Sequence, residues 1–506
     1  MRAATASVGA AASYELLRRR PRVNRQIVQL FGISMLLFAV LIGFTSRWSV
    51  FDAEALKDEP SNRRPLIEEQ QVPRGLVKAT DGTVLARSVP HGSGESRIFT
   101  RTYPTGALFG HAVGYSFISK GRSGLERSDN ADLTGQESEF GTIFSQLQNR
   151  NREGKDVVTT LDPAAQRVAL QALGGRKGSI VAIEPQTGRV RVMVSVPEYD
   201  PNDVPERFSD FNRSPDAPLL NRATQSRYPP GSTFKVVTAA AALDSGKYTP
   251  QSIIDGTSPR SVSGVPLAND GGESFGPISL TDALTNSVNT VFAQVGESLG
   301  RKRLEEYMDR FGFNKDPQLV YPDGQMTASG VRDAKGGLLT GDSGFDVGRV
   351  AIGQGGAEGA IEVSPLQMAQ VAAAVGNRGE MMRPRLTERV VAKDGRVTDR
   401  EQPRLQSRVM SEGHARDLAQ MMGKVVEEGT GTAAALSGTR VGGKTGTAEV
   451  DNATANQAWF IGFAPLDSPR MAVAVTIERT QGQGGTDAAP VAKQVLQALL
   501  GRNGAK

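Results

Sequence analysis

The chain contains no cysteine and only three histidines among its 506 residues. The absence of cysteine excludes disulfide bonds, thiol catalysis and cysteine-ligated metal sites. No two of the histidines, His91, His111 and His414, lie within one helical turn, so a zinc site of the H-E-x-x-H type is excluded as well. The sequence therefore predicts no metal centre.

A strong charge of one sign is also missing. The net charge at neutral pH is +5, which is small for a chain of this length, and no long basic stripe accompanies it. Nucleic-acid binding is therefore not indicated. Hydrophobic residues make up 38% of the chain and charged residues 22%, which are proportions of a folded protein, and the length predicts about three domains.

A long uncharged apolar run, IVQLFGISMLLFAVLIGF, occupies residues 27–44. At helical rise this run reaches the lower limit for crossing a bilayer. Arginines precede it and acidic residues follow it, so the positive-inside rule places the N-terminus in the cytoplasm and the rest of the chain outside. A cleaved signal peptide with a site near Ala53–Ala55 is the alternative. The length of the run and the intervening Arg47–Trp48 pair favour an uncleaved anchor over residues 27–45.

The region that follows, residues 46–170, is polar, glycine-rich and irregular. Within it, Pro73 to Ser88 is typical of two short strands around an Asp81–Gly82 turn. No reactive side chains cluster in this region. It is therefore predicted to be an extracellular spacer or interaction domain.

The rest of the chain alternates between strand and helix patterns. Gly178 to Asn202 predicts a β-hairpin, and residues 197–220 are rich in proline and aspartate and predict a loop. Residues 232–375 are mainly helical, and strand patterns return between residues 441 and 480 before a final helix. Strands at both ends with helices between them predict one α/β domain whose sheet is completed late in the chain.

The segment GTRVGGKTGTAE, from Gly438 to Glu449, fits the phosphate-binding pattern G-x-x-x-x-G-K-T. It also contains the Lys-Thr-Gly triplet with which serine-acylating enzymes hold a carboxylate. A phosphate loop needs a buried strand before it and a helix directly after it, and neither flank has the required composition. The pattern therefore favours an exposed strand from Val441 to Val450 and predicts no nucleotide site.

The segment RYPPGSTFKVVTAAAAL supplies a candidate nucleophile, Ser232, and a candidate base, Lys235. The proline-rich turn predicts a helix that begins at or near Ser232, which places the two side chains on one face, one turn apart. The backbone N–H of Ser232 then has no partner within the helix and can donate to a developing oxyanion. Apolar neighbours and the positive helix end disfavour an ammonium, so Lys235 can act as a base. Taken singly, an S-x-x-K pattern is weak, and a surface helix is the simpler interpretation.

The segment LTNSVNTVFAQVG places Ser287 and Asn289 two residues apart, directly before an apolar helix. A short loop can direct both side chains into one cleft, where the amide can donate to a substrate carbonyl and accept from a lysine. Taken alone, this pattern is more typical of a helix cap.

The three motifs occur in the order S-x-x-K, S-x-N, K-T-G, which is the order of the penicilloyl serine transferases. The chain resembles class B penicillin-binding proteins, particularly the elongation-type form of actinobacteria. GSIVAIEPQTGRV, VSPLQMAQVAAAVGNRG and WFIGFAP are similar to that family's transpeptidase segments. PRGLVKATDGTVLA, YPTGALFGHAVGY and GLERSDNADLTG are similar to its membrane-proximal pedestal.

The resemblance implies an α/β fold: an antiparallel five-stranded sheet flanked by helices, with an all-α subdomain. A transmembrane helix and an elongated, mostly β pedestal domain would precede it. The implied division of the chain is a cytoplasmic N-terminus at 1–26, an anchor at 27–45, a pedestal of the dimerisation type at 46–170 and a transpeptidase domain at 171–506.

The implied activity is that of a D,D-transpeptidase, which cross-links peptidoglycan through an acyl-enzyme and needs no cofactor. The resemblance assigns five catalytic residues: Ser232, Lys235, Ser287, Asn289 and Lys444. It assigns the oxyanion hole to the backbone N–H groups of Ser232 and Thr447. It assigns substrate binding to Asn289, Lys444, Thr445, Gly446 and Thr447. The last four of these residues suit a terminal carboxylate.

The implied ligands are stem peptides that end in D-Ala-D-Ala, and β-lactams that mimic them. A membrane location and a glycosyltransferase partner of the SEDS type are implied as well.

Four other functions compete with this interpretation. D,D-carboxypeptidases and β-lactamases contain the same three motifs, and a β-lactam sensor and an inactive scaffold are the other two alternatives. The anchor, the long pedestal and the intact motifs favour the transpeptidase over these alternatives.

Overall fold

The computed structural model of the chain describes residues 23–47, 70–93, 97–136, 153–339, 344–355, 359–450 and 454–501. The chain forms two compact units, residues 1–67 and 68–506. Most of the predicted cytoplasmic segment 1–26, and residues 48–69 and 137–152 of the predicted pedestal segment, lie outside the described residues.

The first unit contains helix α1, Val23–Ser46. Residues 25–46 of this helix have a mean hydropathy of 2.5, and large apolar side chains such as Phe31 and Leu36 are about two-thirds exposed, at 67% and 65%. The helix is therefore long and apolar enough to cross a membrane. It contains the whole of the predicted anchor at 27–45.

Helices α2 to α14 belong to the second unit. In chain order they are α2 Gly110–Val113, α3 Gly124–Ser128, α4 Asn130–Leu133, α5 Pro163–Leu173, α6 Val204–Arg213, α7 Lys235–Asp244, α8 Leu280–Thr285, α9 Asn289–Leu299, α10 Arg301–Arg310, α11 Val347–Val350, α12 Pro365–Gly376, α13 Glu412–Glu427 and α14 Ala489–Gly501. Short 3₁₀ helices lie at Gly106–Phe109, Pro201–Asp203, Gly231–Phe234, Asp270–Gly272 and Thr432–Ala434, and a π-helical turn lies at Gly484–Ala488.

The strands of the second unit are, in chain order, β1 Val77–Lys78, β2 Val84–His91, β3 Ile98–Thr102, β4 Ser116–Phe117, β5 Gly121–Arg122, β6 Asp156–Thr159, β7 Gly178–Ile183, β8 Val190–Val196, β9 Ile253–Asp255, β10 Arg260–Val262, β11 Val265–Leu267, β12 Pro277–Ser279, β13 Gly330–Asp333, β14 Gly359–Glu362, β15 Glu380–Met382, β16 Thr387–Val391, β17 Val397–Arg400, β18 Leu405–Arg408, β19 Gly442–Val450, β20 Ala455–Ala464 and β21 Met471–Thr480. The predicted hairpins at 73–88 and 178–202 are confirmed as β1–β2 and β7–β8.

A five-stranded antiparallel sheet with the order β19-β20-β21-β7-β8 forms the centre of the second unit. Alternate side chains of β21 enter two cores. Val473 and Val475 pack with α5 and α14 on one face, whereas Ala472 and Ala474 belong to the core that contains α7, α9 and α12. This alternation buries both faces of the sheet between helices. The predicted α/β class with a five-stranded antiparallel sheet is therefore confirmed, and β19 lies at the edge of that sheet.

A second sheet of six strands has the order β17-β16-β6-β1-β2-β3. Strands β1 and β6 run parallel, with Val77 opposite Val157, while the other pairs are antiparallel. Strands β16 and β17 come from residues 387–400, more than 200 residues after β6 along the chain. This sheet therefore combines strands from the predicted pedestal with strands from the C-terminal half of the chain.

Two local predictions need correction. The loop predicted over residues 197–220 contains helix α6, which begins with a proline in its first turn, a position where the missing N–H costs no hydrogen bond. The α-helix predicted from Ser232 begins three residues later, at Lys235, because residues Gly231–Phe234 form a 3₁₀ turn. Ser232 and Lys235 therefore belong to consecutive helical segments of different pitch.

A buried ionic cluster holds the pedestal region together. Glu126 is fully buried, and its two carboxylate oxygens accept from Arg101 Nε at 2.5 Å and Arg74 Nε at 2.7 Å. Burial alone would raise the pKa of Glu126, but the two guanidinium groups outweigh it and hold that pKa below its ordinary value. The ionised carboxylate thus joins the start of α3 to β3 and to the segment before β1.

Replacing Glu126 with glutamine is expected to lower the free energy of unfolding by about 3–5 kcal/mol, because two buried guanidinium groups lose their counter-ion. Thermal and denaturant unfolding of the full chain in detergent measures this. Asp132→Asn is the matched control, since the Asp132–Lys155 pair is partly exposed and is worth at most about 1 kcal/mol. Equal destabilisation by the two substitutions would contradict the structural role of the cluster.

Candidate active site

The candidate nucleophile, Ser232, follows a tight turn of the chain. Gly231 has a positive φ of +51°, and its N–H donates to the carbonyl of Gly353 at 3.1 Å. A side chain at Gly231 would place Cβ 2.6 Å from the carbonyl oxygen of Thr447, so only glycine fits this close approach. The turn therefore presents a half-buried Ser232 next to strand β19.

Lys235 is completely buried one helical turn beyond Ser232. Its Nζ lies 2.6 Å from the carbonyl oxygen of Ser287, 2.7 Å from Asn289 Oδ1 and 3.3 Å from Ser287 Oγ. The ring of Phe292 lies beneath the amine at 5.8 Å. The S-x-x-K and S-x-N motifs, predicted to share a cleft, are thus in direct contact.

Ser287 has a left-handed backbone conformation, with φ of +59°. This conformation is costly for a residue with a side chain and is concentrated at functional sites. It turns the chain sharply before α9, so that Asn289, the first residue of that helix, faces Lys235. The Asn289 amide nitrogen donates to the carbonyl of Ala268 at 3.0 Å, which fixes the orientation of the amide.

Lys444 brings the K-T-G motif to the same point from the edge strand β19. It is fully buried, and its Nζ donates to Ser287 Oγ at 2.9 Å and to the carbonyl of Thr445 at 3.0 Å. The Ser287 hydroxyl therefore lies between two lysine amines. The strand predicted over residues 441–450 is confirmed, and no helix follows Gly443 as a phosphate loop would require.

The remaining K-T-G-T residues line the edge of the sheet. Gly446 has no room for a side chain, because a Cβ there would lie 2.7 Å from the carbonyl oxygen of Pro230. The hydroxyl of Thr445 is 2.6 Å from that of Thr430, and Thr447 Oγ1 accepts from the N–H of Gly484 at 3.1 Å. The sequence motifs did not identify Thr430 or Gly484, since each comes from a loop with no recognisable pattern.

Burial lowers the pKa of both lysines. Burial is the largest cause that lowers the pKa of Lys235 well below its ordinary value, and the nearby charge of Lys444 lowers it further. Burial also lowers the pKa of Lys444 to about 7. A neutral amine next to a serine hydroxyl can accept a proton, which makes this arrangement suitable for activating a hydroxyl nucleophile.

The family models match most of the second unit. Residues 178–497 match the penicillin binding protein transpeptidase domain, and residues 74–157 match the penicillin binding protein A dimerisation domain. The peptidoglycan D,D-transpeptidase PbpA of Mycolicibacterium smegmatis is 34% identical to the chain, with 92% of this chain and 97% of the relative covered. The protein of the same name from Mycobacterium tuberculosis is 33% identical, with 94% and 99% covered.

Solved structures give the same result. The structure of penicillin-binding protein A from M. tuberculosis as a ceftriaxone acyl-enzyme complex has a TM-score of 0.76 and 30% identity, and covers 86% of this chain and 100% of that one. The D,D-transpeptidase domain of a peptidoglycan glycosyltransferase from Eggerthella lenta has a TM-score of 0.75 and 32% identity, with 86% and 100% covered. The chain therefore belongs to the penicillin-binding protein transpeptidase family, and it is a serine-type peptidoglycan D,D-transpeptidase.

Proposed function

We propose that Ser232 is the nucleophile of this transpeptidase. Its Oγ attacks the carbonyl carbon between the two terminal D-alanines of a donor stem peptide. The C–N bond breaks, the last D-Ala leaves with an added proton on its nitrogen, and an ester joins Oγ to the remaining peptide. An amine of a second stem peptide then attacks the ester, an amide forms, and Ser232 recovers its proton. A β-lactam ring would open on Ser232 by the first of these steps.

Lys235 is proposed as the base that takes the Ser232 proton. A neutral amine has two N–H donors and one lone pair. The two shortest contacts of Nζ, to the Ser287 carbonyl at 2.6 Å and to Asn289 Oδ1 at 2.7 Å, use both donors. The lone pair then remains available for a proton. Removal of water from the site lowers the pKa of this amine well below its ordinary value, which supports this role.

Ser287 is proposed to carry a proton between Lys235 and the substrate nitrogen, since its hydroxyl lies within 3.3 Å of one lysine amine and 2.9 Å of the other. Lys444 supplies the positive charge that favours the terminal carboxylate of the donor, and the hydroxyls of Thr445 and Thr447 supply hydrogen bonds. Asn289 keeps Lys235 in position and can also contact the substrate amide.

The oxyanion hole is proposed to consist of the backbone N–H groups of Ser232 and Thr447. The close approach of Gly231 to Thr447, and of Gly446 to Pro230, supports this assignment because it brings the nucleophile turn against the edge strand. Removing one oxyanion donor in other enzymes costs about 3–4 kcal/mol of transition-state stabilisation. Gly446 contributes by allowing this approach.

The observation that carries the proposal is the contact of Lys235 Nζ with Ser287 and Asn289, and of Lys444 Nζ with the same serine. Mass spectrometry of the penicillin-treated protein tests it. Trypsin releases the peptide of residues 228–235, and the penicilloyl adduct is expected on this peptide, at Ser232. An adduct on any other peptide would overturn the assignment.

The rate of acylation by benzylpenicillin is expected to fall as the pH rises through about 7, the pKa to which burial lowers Lys444. Below that pH the amine is charged and attracts the β-lactam carboxylate, and above it the charge is lost. On the acid side the rate falls as Lys235 becomes protonated. Stopped-flow acylation kinetics against pH measures both limbs. In Lys444→Arg, whose side chain stays charged, the basic limb should disappear, and its persistence would contradict the assignment.

Hydrolysis by the same acyl-enzyme is the second candidate function, because water can replace the acceptor amine. Transpeptidation and hydrolysis are distinguished by measuring the released D-Ala and the cross-linked product together, with polymerised precursor as the substrate. We expect cross-linked product to account for most of the D-Ala released. D-Ala release without cross-linking would instead identify a D,D-carboxypeptidase.

We also infer that α1 anchors the chain in the cell membrane, with residues 1–26 in the cytoplasm and residues 46–170 and 171–506 outside as pedestal and transpeptidase domains. The apolar character of α1 and the arginines before it support this topology. A SEDS-type glycosyltransferase that supplies glycan strands is the partner the family resemblance suggests. A topology assay with an alkaline phosphatase fused after Lys506 tests the orientation.

A further inference from the structure

The loop after β11 is fixed to the S-x-N wall of the active site. The Asn289 amide nitrogen donates to the carbonyl of Ala268 at 3.0 Å, and the N–H of Thr290 donates to Asn269 Oδ1 at 3.0 Å. Asn269 is buried, and its amide nitrogen also donates to the carbonyl of Glu273 at 2.8 Å. The next residue, Asp270, is exposed. The loop therefore holds one carboxylate at a fixed place beside Asn289.

Asp270 makes a contact that spans the active-site cleft. Its Oδ2 accepts from Gln483 Nε2 at 3.3 Å. Gln483 directly precedes Gly484, whose N–H donates to Thr447 Oγ1 and which packs so tightly on the edge strand that a Cβ would lie 2.9 Å from the N of Gly446. Asp270 is on the S-x-N side and Gln483 on the K-T-G-T side. The two residues therefore mark one end of the cleft.

The charge of Asp270 is not neutralised by a neighbouring cation. Among the residues that the structure describes, no lysine, arginine or histidine forms an ion pair with it, and its one side-chain partner is the neutral amide of Gln483. Its field nevertheless reaches the catalytic centre: burial and Lys444 lower the pKa of Lys235, and the charge of Asp270 opposes them. An accessible, uncompensated carboxylate at the cleft is suited to a cationic group of a ligand.

We propose that Asp270 binds the ammonium group of the acceptor stem peptide before transfer of the acyl group. The inference depends on the proposed function, in which Ser232 carries the acyl group. The donor presents a carboxylate to Thr445 and Thr447, and Asp270 would repel that group, whereas the acceptor arrives as a primary amine that is protonated at neutral pH. The sign of the charge therefore assigns Asp270 to the acceptor.

The chemistry balances with Asp270 as a binding residue. The ammonium releases one proton to water at the exposed carboxylate and becomes a neutral amine. The amine nitrogen then attacks the ester carbon, a C–N bond forms and the bond from that carbon to Ser232 Oγ breaks. The second nitrogen proton passes through Ser287 and Lys235 to Ser232 Oγ. No oxidant, metal or further reactant takes part.

Aminolysis by the full-length protein in detergent tests the proposal. The donor is a diacetylated lysyl-D-Ala-D-Ala peptide, and the acceptors are glycinamide, which is cationic, and hydroxylamine, which is uncharged at neutral pH. In Asp270→Asn, the KM for glycinamide is expected to rise about two- to fivefold, the scale of one partly screened ion pair, and the product ratio should shift towards hydrolysis. The KM for hydroxylamine should stay unchanged. The rate of penicillin acylation should not fall, because loss of the Asp270 charge removes a repulsion from the β-lactam carboxylate. Added salt should raise the KM for glycinamide in the wild type more than in the variant.

Two control variants distinguish charge from position. Glu273→Gln removes an exposed charge three residues further along the same loop and should leave the KM for glycinamide unchanged. Gln483→Ala removes the contact across the cleft but keeps the charge, and should also leave it near the wild-type value. Three outcomes would overturn the proposal. The KM for glycinamide could stay unchanged in Asp270→Asn, or the KM values for glycinamide and hydroxylamine could rise equally in that variant. The third outcome is that Gln483→Ala raises the KM for glycinamide as much as Asp270→Asn does. A failure of the proposed function can be told apart from a failure of this inference, because the wild type would then form no adduct on Ser232.

Discussion

Replacing Ser232 with alanine is expected to reduce labelling by a fluorescent penicillin to background. The substitution removes the only atom that the proposed mechanism allows to form an ester, while the rest of the site stays in place. In other serine-dependent enzymes the loss of the nucleophile lowers turnover by roughly 10⁶-fold. The measurement is the fluorescence of the protein band after incubation of wild type and variant with the same penicillin concentration, with the melting temperature of both recorded.

The matched control for this prediction is Thr233→Val, which removes the neighbouring hydroxyl of the same turn. Thr233 is buried, and its Oγ1 donates to the carbonyl of Pro230 at 2.7 Å, so it is already committed to the turn. The valine variant should be labelled at a rate within about tenfold of the wild type, since one hydrogen bond contributes about 1 kcal/mol. If Ser232→Ala is labelled and Thr233→Val is not, Ser232 is not the nucleophile and Thr233 takes that assignment.

The sequence predicted those parts of the fold that depend on local patterns. Strand β19 and the hairpin β7–β8 are predicted from the alternation of apolar and polar residues and from turn residues. Helix α1 is predicted from its continuous apolar run. The six-stranded sheet was not predicted, because β16 pairs with β6 across more than 200 residues and no local pattern records that pairing. The sequence predicts a loop at residues 204–213, where helix α6 lies, because proline and aspartate favour both loops and the first turn of a helix.

The same distinction applies to the site. Three short motifs predict Ser232, Lys235, Ser287, Asn289 and Lys444. The structure brings the side chains of the last four into contact and packs Gly231, directly before Ser232, against strand β19. The motifs could not identify Thr430, Gly484 or Asp270, because these residues reach the cleft through loops whose positions depend on tertiary packing. The left-handed conformation of Ser287 also has no signal in the sequence, since non-glycine residues rarely adopt it.

Lys235→Met is expected to lower the acylation rate by about 10²–10⁴-fold, the usual contribution of a positioned base. Methionine is close to lysine in length and suits a fully buried position. It leaves the Ser287 carbonyl and Asn289 Oδ1 without their donor, which should lower the free energy of unfolding by about 1–3 kcal/mol for each unsatisfied group. This loss is partly offset because the variant no longer buries an amine. Rapid-mixing acylation kinetics and denaturant unfolding measure the two effects separately.

Lys235→Arg separates the base from the hydrogen bonds that hold it. Arginine can donate to the Ser287 carbonyl and to Asn289 Oδ1, but its guanidinium does not lose its proton in proteins, so it cannot accept one from Ser232. If Lys235 acts as the base, the arginine variant should be acylated as slowly as the methionine variant at every pH, although it retains donors. If Lys235 only positions Ser287 and Asn289, the arginine variant should recover much of the rate. Because burial lowers the pKa of this amine well below its ordinary value, we expect the first outcome.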